Sequence, residues 1–312
     1  MKRIPVFMIN GFLEAGKTEF ILATIRRDEF YKRGTTLLLV CEEGEIEYDL
    51  KELEKYKVTL QQINEGELNA NNLDKIIQEG KYNRVVIEMN CMFDENTISF
   101  PKYFDISQII TIIDGITFPT YFANMRQKFV DMIKISDVVA FNKLKDNSSL
   151  QPFDTALKMI NNQCLFCIID EDCISLGKAF ETPLPYNLKE KEIEIKDDDF
   201  GIFYIDTFDN RNHYENKIVT FNAWVVKSNK LKEGEFIAGR KVLTCCANDI
   251  QLYGFLVTNS LNQNLKDDSW VKIKATCKVE YNKEYDEEEL VLYPIELTPI
   301  KPIKNEILDL SK

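Results

Sequence analysis

Short apolar runs alternate with stretches of helical periodicity through the first half of the chain. The apolar runs are rich in β-branched and aromatic residues and lie at residues 3–10, 35–41, 83–90, 107–114, 136–143, 164–170 and, more weakly, 58–64. Between several of them, apolar residues recur at spacings of three or four, as Leu73, Ile76 and Ile77 do. Strands that alternate with helices predict an α/β fold over residues 1–180, a mostly parallel sheet with helices on both faces.

The pattern changes after residue 180. Residues 181–199 contain two prolines and a charged run, which indicates a linker. From residue 200 onward, short apolar runs recur without a helical period between them, in FGIFYID, IVTFNAWVVK, RKVLTCC, IQLYGFLVT, SWVKIKATCKVEY and ELVLYPIEL. This pattern predicts a second domain over residues 200–312, a small all-β barrel or sandwich with a C-terminal tail.

Length and charge limit the classes of function. A chain of 312 residues is long enough for about two domains with separate cores. The net charge of −12 argues against a nucleic-acid or anionic-membrane binder, which needs a basic surface. No run reaches the roughly 18 apolar residues of a membrane helix, and polar residues interrupt the apolar start, unlike a signal peptide. We therefore expect a cytoplasmic protein without membrane insertion or nucleic-acid binding, its oligomeric state left open.

The stretch GFLEAGKT, between the first apolar run and the first helical stretch, has the spacing of a phosphate-binding loop. Gly11 and Gly16 allow the turn and a close approach of the backbone to phosphate. The loop N–H groups and the helix N-terminus form a nest for phosphate oxygens. Lys17 reaches the β- and γ-phosphates, and the Thr18 hydroxyl is a ligand of Mg²⁺. The sequence therefore predicts binding of a nucleoside triphosphate with Mg²⁺.

The stretch GFLEAGKTEFI resembles the GFLGAGKTTLL of the CobW/HypB/UreG-type GTPases, a family of metal-cofactor chaperones. Four later stretches resemble segments of the family in the same order: CEEGEIEYD, RVVIEMNCMFD, IITIIDG and SDVVAFNKLK. The resemblance covers about residues 1–180. It implies slow Mg²⁺-dependent hydrolysis of a nucleoside triphosphate, GTP or else ATP, in metal homeostasis or metal delivery.

The resemblance also assigns roles to the matched positions. Lys17 and Glu88 would be catalytic, with Glu88 orienting the attacking water or the metal shell. Thr18 and Glu42 would hold Mg²⁺, and Glu45 matches the second acidic position of the family. The nucleotide would be contacted by the phosphate-binding loop and the guanine-reading segment, at Gly11, Glu14, Ala15, Gly16, Lys17, Thr18, Glu19, Asn142 and Lys143.

The internal cysteine motif of the family is absent from this chain. Glu67, Asn69 and Ala70 stand where its three cysteines would be. Because thiolates select zinc and similar ions, we expect the first domain to lack the thiolate metal site of the family.

Three further positions depart from the family at the nucleotide site. Lys145 replaces an aspartate that would accept hydrogen bonds from guanine, and a lysine has no acceptor. Asp146 is adjacent and could substitute for it. Glu19 replaces a threonine near the α-phosphate, and Cys91 replaces a glycine. The choice between GTP and ATP therefore stays open.

These departures favour an alternative function, a non-catalytic regulatory or adaptor subunit whose nucleotide site orders switch loops. Lys145 and Glu19 support this alternative, whereas the intact Lys17, Thr18 and Glu88 support an enzyme.

The second half of the chain resembles a different module. FIAGRKVLTCCANDIQLYGFLV and SWVKIKATCKVE are similar to segments of the C-terminal module of YcgQ-type permease-subunit proteins. The match covers roughly residues 200–303 and implies an OB-like β-barrel and a protein partner, either a permease or a metal-dependent protein. OB-type barrels often bind nucleic acid, but acidic stretches such as YDEEEL argue against that use here.

The eight cysteines follow no disulfide-framework spacing, which favours reduced thiols. Cys245 and Cys246 are adjacent and would point to opposite faces of a regular strand. At a strand end they could converge on a soft ion such as zinc; the alternative is one core thiol and one surface thiol. Cys164 and Cys167 have ligand-like spacing but lie in an apolar run, which favours buried packing.

Overall fold

The computed structural model describes residues 3–42, 44, 46–180, 183–243, 250–258, 265–283 and 286–309. The chain forms two compact units. The first contains Met1–Pro152 and Gln163–Glu181, and the second contains Phe153–Asn162 and Thr182–Lys312. Each unit is therefore built from two separate segments of the chain.

The first unit is built on an eight-stranded sheet. Its strands, β1 to β8 in chain order, are Ile4–Asn10, Thr36–Val40, Val58–Gln62, Arg84–Glu88, Phe104–Asp114, Val138–Asn142, Leu165–Ile169 and Ser175–Lys178. They lie in the order β3-β2-β4-β1-β5-β6-β7-β8, and each neighbouring pair is parallel except β7 with β8. The predicted mostly parallel sheet is confirmed.

Helical segments connect most of these strands. The helices described, α1 to α8 in chain order, are Lys17–Ile25, Asp28–Tyr31, Leu50–Lys55, Ala70–Glu79, Phe118–Asn124, Arg126–Lys134, Asp154–Ile160 and Phe200–Asp209. Short 3₁₀ helices lie at Glu95–Thr97, Gln151–Phe153, Asp197–Asp199 and Arg211–Tyr214. Within the described ranges, no helix has both the length and the apolar character needed to cross a membrane.

Apolar side chains cover both faces of the first sheet, because successive residues of a strand point to opposite sides. On one face, Val86 of β4 belongs to a buried cluster with Ile9 and with Ile21 of α1. On the other face, Val85 belongs to a second buried cluster with Leu73 of α4. This two-sided burial explains why the strands are continuous apolar runs in the sequence.

A seven-stranded sheet dominates the second unit, so the predicted all-β character is confirmed. Its strands, β9 to β15 in chain order, are Glu192–Glu194, Ile218–Val226, Phe236–Leu243, Ile250–Val257, Ser269–Asn282, Glu287–Ile300 and Ile307–Asp309. They lie in the order β15-β11-β12-β14-β13-β10-β9, and β10 also pairs with β11, which closes five strands into a ring. Strand β9, which pairs with β10, lies within the segment predicted as a linker.

The stretch FGIFYID forms helix α8, so the strand predicted there is wrong. A run that is apolar at nearly every position fits the period of a strand and that of a helix equally well. In α8, Phe200 and Phe203 are three residues apart, share one face and are both buried. The ring centroid of Phe203 lies 5.1 Å from that of Phe255, and the centroid of Phe200 lies 5.7 Å from that of Phe221. Helix α8 therefore supplies part of the core beside the strands.

Helix α7 belongs to the second unit, although the strands before and after it, β6 and β7, belong to the first. It lies close to α8 at Gly201, where an added Cβ would be 2.9 Å from Thr155 and 3.3 Å from Met159. Met159 also shares a buried cluster with Ile205 and Val242. The chain thus leaves the first unit after β6 and returns to it for β7.

We expect Phe203→Ala to lower the free energy of unfolding by about 3–5 kcal/mol, because the fully buried side chain would leave a cavity. The control is Ile295→Ala, which removes a side chain that is 46% exposed and should cost about 1 kcal/mol or less. Urea denaturation followed by tryptophan fluorescence measures both, since Trp224 and Trp270 lie in the second unit. Equal losses in the two variants would contradict the packing of α8 in the core.

Candidate functional site

The loop between β1 and α1 requires glycine at two positions. Gly11 and Gly16 have φ of 138° and 104°, in the region that favours glycine. A Cβ on Gly11 would lie 2.2 Å from the carbonyl oxygen of Ile112, and one on Gly16 would lie 2.2 Å from Nδ2 of Asn142. The loop is therefore in close contact with β5 and with the end of β6.

The side chain of Lys17, at the start of α1, is buried beneath this loop. Its residue is only 3% exposed, and its ammonium donates hydrogen bonds of 2.9 Å to the carbonyl oxygens of both Gly11 and Phe12. It also forms an ion pair with the carboxylate of Glu42, which follows β2. Because an ammonium has three donors, these partners leave none of them unpaired.

Glu88, at the end of β4, is a second buried charged residue, 3% exposed. Its Oε1 accepts a hydrogen bond of 2.7 Å from the Thr18 hydroxyl, and its Oε2 accepts one of 2.7 Å from the Tyr48 hydroxyl. Burial raises the pKa of Glu88 above its ordinary value, while the two hydroxyl groups and the charge of Lys17 act in the opposite direction. Burial and the neighbouring Glu88 also raise the pKa of Tyr48.

The end of β6 holds the loop from its other side. Nδ2 of Asn142 donates a hydrogen bond of 3.2 Å to the carbonyl oxygen of Ala15. The ammonium of Lys143 donates one of 2.7 Å to the carbonyl oxygen of Glu14 and lies 3.0 Å from Oδ2 of Asp114. The segment that the sequence associates with the base therefore also fixes the phosphate-binding loop.

A cleft of about 140 Å³ lies at the carboxyl ends of the parallel strands, where ligand sites of such sheets form. It brings together residues of the loop, of the segment after β2, and of the ends of β4 and β6. Its lining consists of Leu13, Glu14, Gly16, Lys17, Thr18, Glu19, Glu42, Gly44, Ile46, Glu88 and Lys143. A lysine, a hydroxyl and carboxylates around one cleft fit a triphosphate with Mg²⁺, which prefers oxygen ligands.

Lys145 and Asp146 are exposed and do not line this cleft. Oδ1 of Asp146 accepts a hydrogen bond of 2.8 Å from the backbone N–H of Ser148. Hydrogen bonds from the side chain and backbone of Ser148 lower the pKa of Asp146. One oxygen of this carboxylate is therefore engaged in a turn of its own loop.

The residues that replace the cysteine motif have local structural roles. The side chain of Asn69 caps α4 by accepting a hydrogen bond of 3.1 Å from the backbone N–H of Asn72. Oε2 of Glu67 accepts one of 2.8 Å from the backbone N–H of Asn64, and Ala70 is the first residue of α4. Among the described residues, no three His, Cys, Asp or Glu side chains are grouped as a metal site.

The predicted metal-binding thiols, Cys245 and Cys246, lie outside the described residues. Cys164 and Cys167 are 9% and 6% exposed, which confirms the prediction of buried packing. Burial raises the pKa of Cys164 to about 12, so this thiol is protonated at neutral pH.

Tyr48 and Asp114 are the functional candidates that the predicted site residues did not include. Tyr48 follows Glu42 within the stretch CEEGEIEYD, and Asp114 ends β5. The position of Asp114 at a strand end indicates either a site residue or a turn cap, and its Oδ1 does cap the turn by accepting hydrogen bonds from the backbone N–H groups of Ile116 and Thr117. Nothing in the local sequence links Tyr48 to Glu88, because the two residues are 40 positions apart.

Two family descriptions together match most of the chain. The CobW/HypB/UreG nucleotide-binding domain matches residues 5–167, just over half of the chain, and the DUF1980 C-terminal domain matches residues 176–306. Among curated proteins, the UPF0703 protein YcgQ of Bacillus subtilis (strain 168) is 28% identical over 92 residues. That alignment covers 30% of this chain and 32% of YcgQ, so it spans about a third of the length of that relative.

Two solved structures resemble part of the chain. The hydrogenase maturation factor HypB from Archaeoglobus fulgidus aligns at a TM-score of 0.39 and 15% identity, over 57% of this chain and 84% of that one. The zinc-bound YjiA GTPase from E. coli aligns at a TM-score of 0.35 and 15% identity, over 72% of this chain and 73% of that one.

We expect the stability of Glu88→Gln, relative to that of the parent, to increase as the pH rises from acid to neutral. Below the ordinary pKa of 4.5, Glu88 is protonated in both the folded and the unfolded state. Above it, the unfolded state ionises while the buried carboxyl resists, so the parent loses stability as the pH rises toward the raised pKa. Urea denaturation between about pH 4 and pH 8 measures the free energy of unfolding of both proteins. The value for the variant minus the value for the parent should increase with pH.

The matched control for this measurement is Glu54→Gln, at an exposed carboxylate on α3. A difference between Glu88→Gln and the parent that stays constant with pH, or that follows the control, would contradict the raised pKa of Glu88.

Proposed function

The chain belongs to the CobW/HypB/UreG nucleotide-binding family, and we propose that it binds a nucleoside triphosphate with Mg²⁺ and hydrolyses it slowly. The observation that carries the proposal is the meeting of the Lys17 ammonium, the Thr18 hydroxyl and the carboxylates of Glu42 and Glu88 in one cleft. These groups come from α1, from the segment after β2 and from the end of β4, which meet at the carboxyl edge of the sheet.

Lys17 would exchange one partner when the triphosphate binds. Its ammonium is held by two loop carbonyl groups and by Glu42. Oxygens of the β- and γ-phosphates would replace Glu42, because the loop N–H groups hold phosphates beside the start of α1. The exchange keeps the buried ammonium paired, and pairing matters because an isolated buried charge is strongly destabilising.

Once Glu42 leaves Lys17, it would join Thr18 in holding Mg²⁺. This cation usually binds through one or two carboxylates together with phosphate oxygens. When bound, it supplies neutralisation of charge on the transferred phosphoryl group. Because the hydroxyl of Thr18 donates its hydrogen to Glu88, its oxygen would keep its lone pairs for the cation.

Glu88 would orient the attacking water. Both of its carboxylate oxygens accept hydroxyl hydrogen bonds, one from Thr18 and one from Tyr48. Oε1 has a second lone pair that would accept from the water, while Tyr48 would keep Oε2 in place as a positioning residue.

Asn142 and Lys143 would position the base, and weak discrimination between GTP and ATP is part of the proposal. A site built to hydrogen-bond one base rejects another strongly, because buried polar groups would be left unpaired. Lys145 offers no acceptor for guanine, and one oxygen of Asp146 accepts from Ser148 instead.

The proposed biological role is metal homeostasis or metal delivery in the cytoplasm, on the basis of family membership. The order of the five strands in the closed ring, β10-β11-β12-β14-β13, supports an OB-like barrel in the second unit. Such a module would bind the protein partner, either a permease or a metal-dependent protein. Cys245 and Cys246 belong to this proposal as ligands of a soft ion such as zinc.

A second candidate function is a non-catalytic regulatory or adaptor subunit. The observation in its favour is that Lys17 and Glu42 pair with each other, while the carboxylate of Glu19 lines the same cleft. Nucleotide binding would then order only the segment after β2 and act as a switch.

We expect the parent to release phosphate from GTP in the presence of Mg²⁺.

We expect Gly16→Ala to lose binding of GTP and ATP. The new Cβ would collide with Nδ2 of Asn142, at a residue whose φ is in the region that favours glycine. The matched control is Gly66→Ala, where φ is also positive, at 81°, but no atom lies within 4 Å of the added Cβ. Titration of fluorescent nucleotides measures binding, and a phosphate-release assay measures turnover.

Two outcomes would change the conclusion. If Gly16→Ala bound nucleotide as tightly as the parent, the cleft would not be the nucleotide site. If the parent bound nucleotide but released no phosphate with Mg²⁺, the function would be that of the switch subunit.

We expect the parent to prefer GTP over ATP by less than about 100-fold, or about 2.7 kcal/mol. Lys145→Asp should increase this preference, because it restores an acceptor for the guanine N–H groups. Titration of both nucleotides into both proteins measures the effect. A stronger preference in the parent that Asp146→Asn removed would show that Asp146 supplies the missing acceptor.

A further inference from the structure

A second cavity of the first unit lies between the sheet and helices α1 and α2. Its volume is about 310 Å³, at the lower end of the range for small-ligand sites. Its walls are mostly apolar and include Phe7 and Ile110 of the sheet and Phe20 and Ile25 of α1. It shares no lining residue with the nucleotide cleft. We name this cavity the α1 groove.

A buried positive charge lines the α1 groove. Arg84, the first residue of β4, is only 6% exposed. Its Nη1 donates a hydrogen bond of 2.7 Å to the carbonyl oxygen of Phe30, and its guanidinium carbon lies 4.3 Å from the centroid of the Phe30 ring. A guanidinium carries five N–H donors, so one carbonyl leaves most of its capacity unused.

No carboxylate of the described residues forms an ion pair with Arg84. The charged groups that also line the groove are Arg33 and Glu29, and both are exposed. Burial, together with the like charge of Arg33, lowers the pKa of Arg84. The guanidinium therefore has no carboxylate partner among the described residues, and the three charged side chains of the groove carry a net charge of +1, which favours an anion.

We propose that the α1 groove binds a single-chain amphipathic anion, whose head pairs with Arg84 and whose chain lies against Phe7, Phe20 and Ile110. A carboxylate head matches the planar guanidinium through two parallel hydrogen bonds. The apolar walls bury the chain, and the cavity volume suits a medium-length chain. The head could equally be the phosphate of a single-chain lipid, since both are anions that a guanidinium recognises.

The test is calorimetric titration of the full-length parent with octanoate, hexanoate, octyl phosphate and the uncharged octanol. We expect octanoate to bind at one site, about tenfold more tightly than hexanoate, because each buried methylene adds to affinity. Octanol should bind at least about tenfold more weakly, since it lacks the charge that pairs with Arg84. Tighter binding of octyl phosphate than of octanoate would identify a lipid phosphate as the natural head.

Two variants assign the binding to the groove. Arg84→Gln should weaken octanoate at least about tenfold, whereas Arg3→Gln, at an exposed arginine outside the groove, should leave it unchanged. Thr24→Phe places a larger side chain in the groove from α1 and keeps Arg84. It should abolish octanoate binding, so the test does not depend on the folding of Arg84→Gln. Equal affinity for octanoate and octanol, or unchanged binding by Thr24→Phe, would overturn the proposal.

Discussion

The buried ammonium of Lys17 is the interaction on which the carboxyl edge of the first unit depends. A desolvated charge has to keep its donors paired, and here two loop carbonyl groups and Glu42 provide the partners. The requirement ties the loop after β1 to the segment after β2. Glu88 adds a second connection, since its two oxygens join α1, through Thr18, to the same segment, through Tyr48. Buried polar contacts therefore define the shape of the cleft.

The first sheet and its phosphate-binding loop could be predicted because their signals are local. A strand buried on both faces has apolar residues at successive positions, as β4 shows with Val85 and Val86. The two glycines of the loop are fixed by close contacts with β5 and β6, yet the need for glycine is visible in the loop sequence alone. The residues of the cleft come together because parallel strands bring their carboxyl ends to one edge.

Other features depend on contacts between distant parts of the chain and could not be predicted. The hydrogen bond from Tyr48 to Glu88 spans 40 positions and leaves no periodic trace. The seven residues of FGIFYID satisfy both the strand and the helix period, and only packing of Phe200 and Phe203 against strands of the second unit decides between them. In the same way, the helical pattern of α7 is local, whereas its membership of the second unit is determined by Gly201 and Met159.

The path of the chain through α7 has a consequence for the modularity of this protein. A crossover helix between two parallel strands normally covers the sheet that it connects. Here residues 153–162 belong to the second unit, so residues 5–167, which match the nucleotide-binding family, include a segment of the second unit. Neither unit can therefore be exchanged as one continuous segment of the chain. A recombination event or an engineered truncation near residue 180 would separate α7 from α8, so sequence exchange in this protein would have to preserve both.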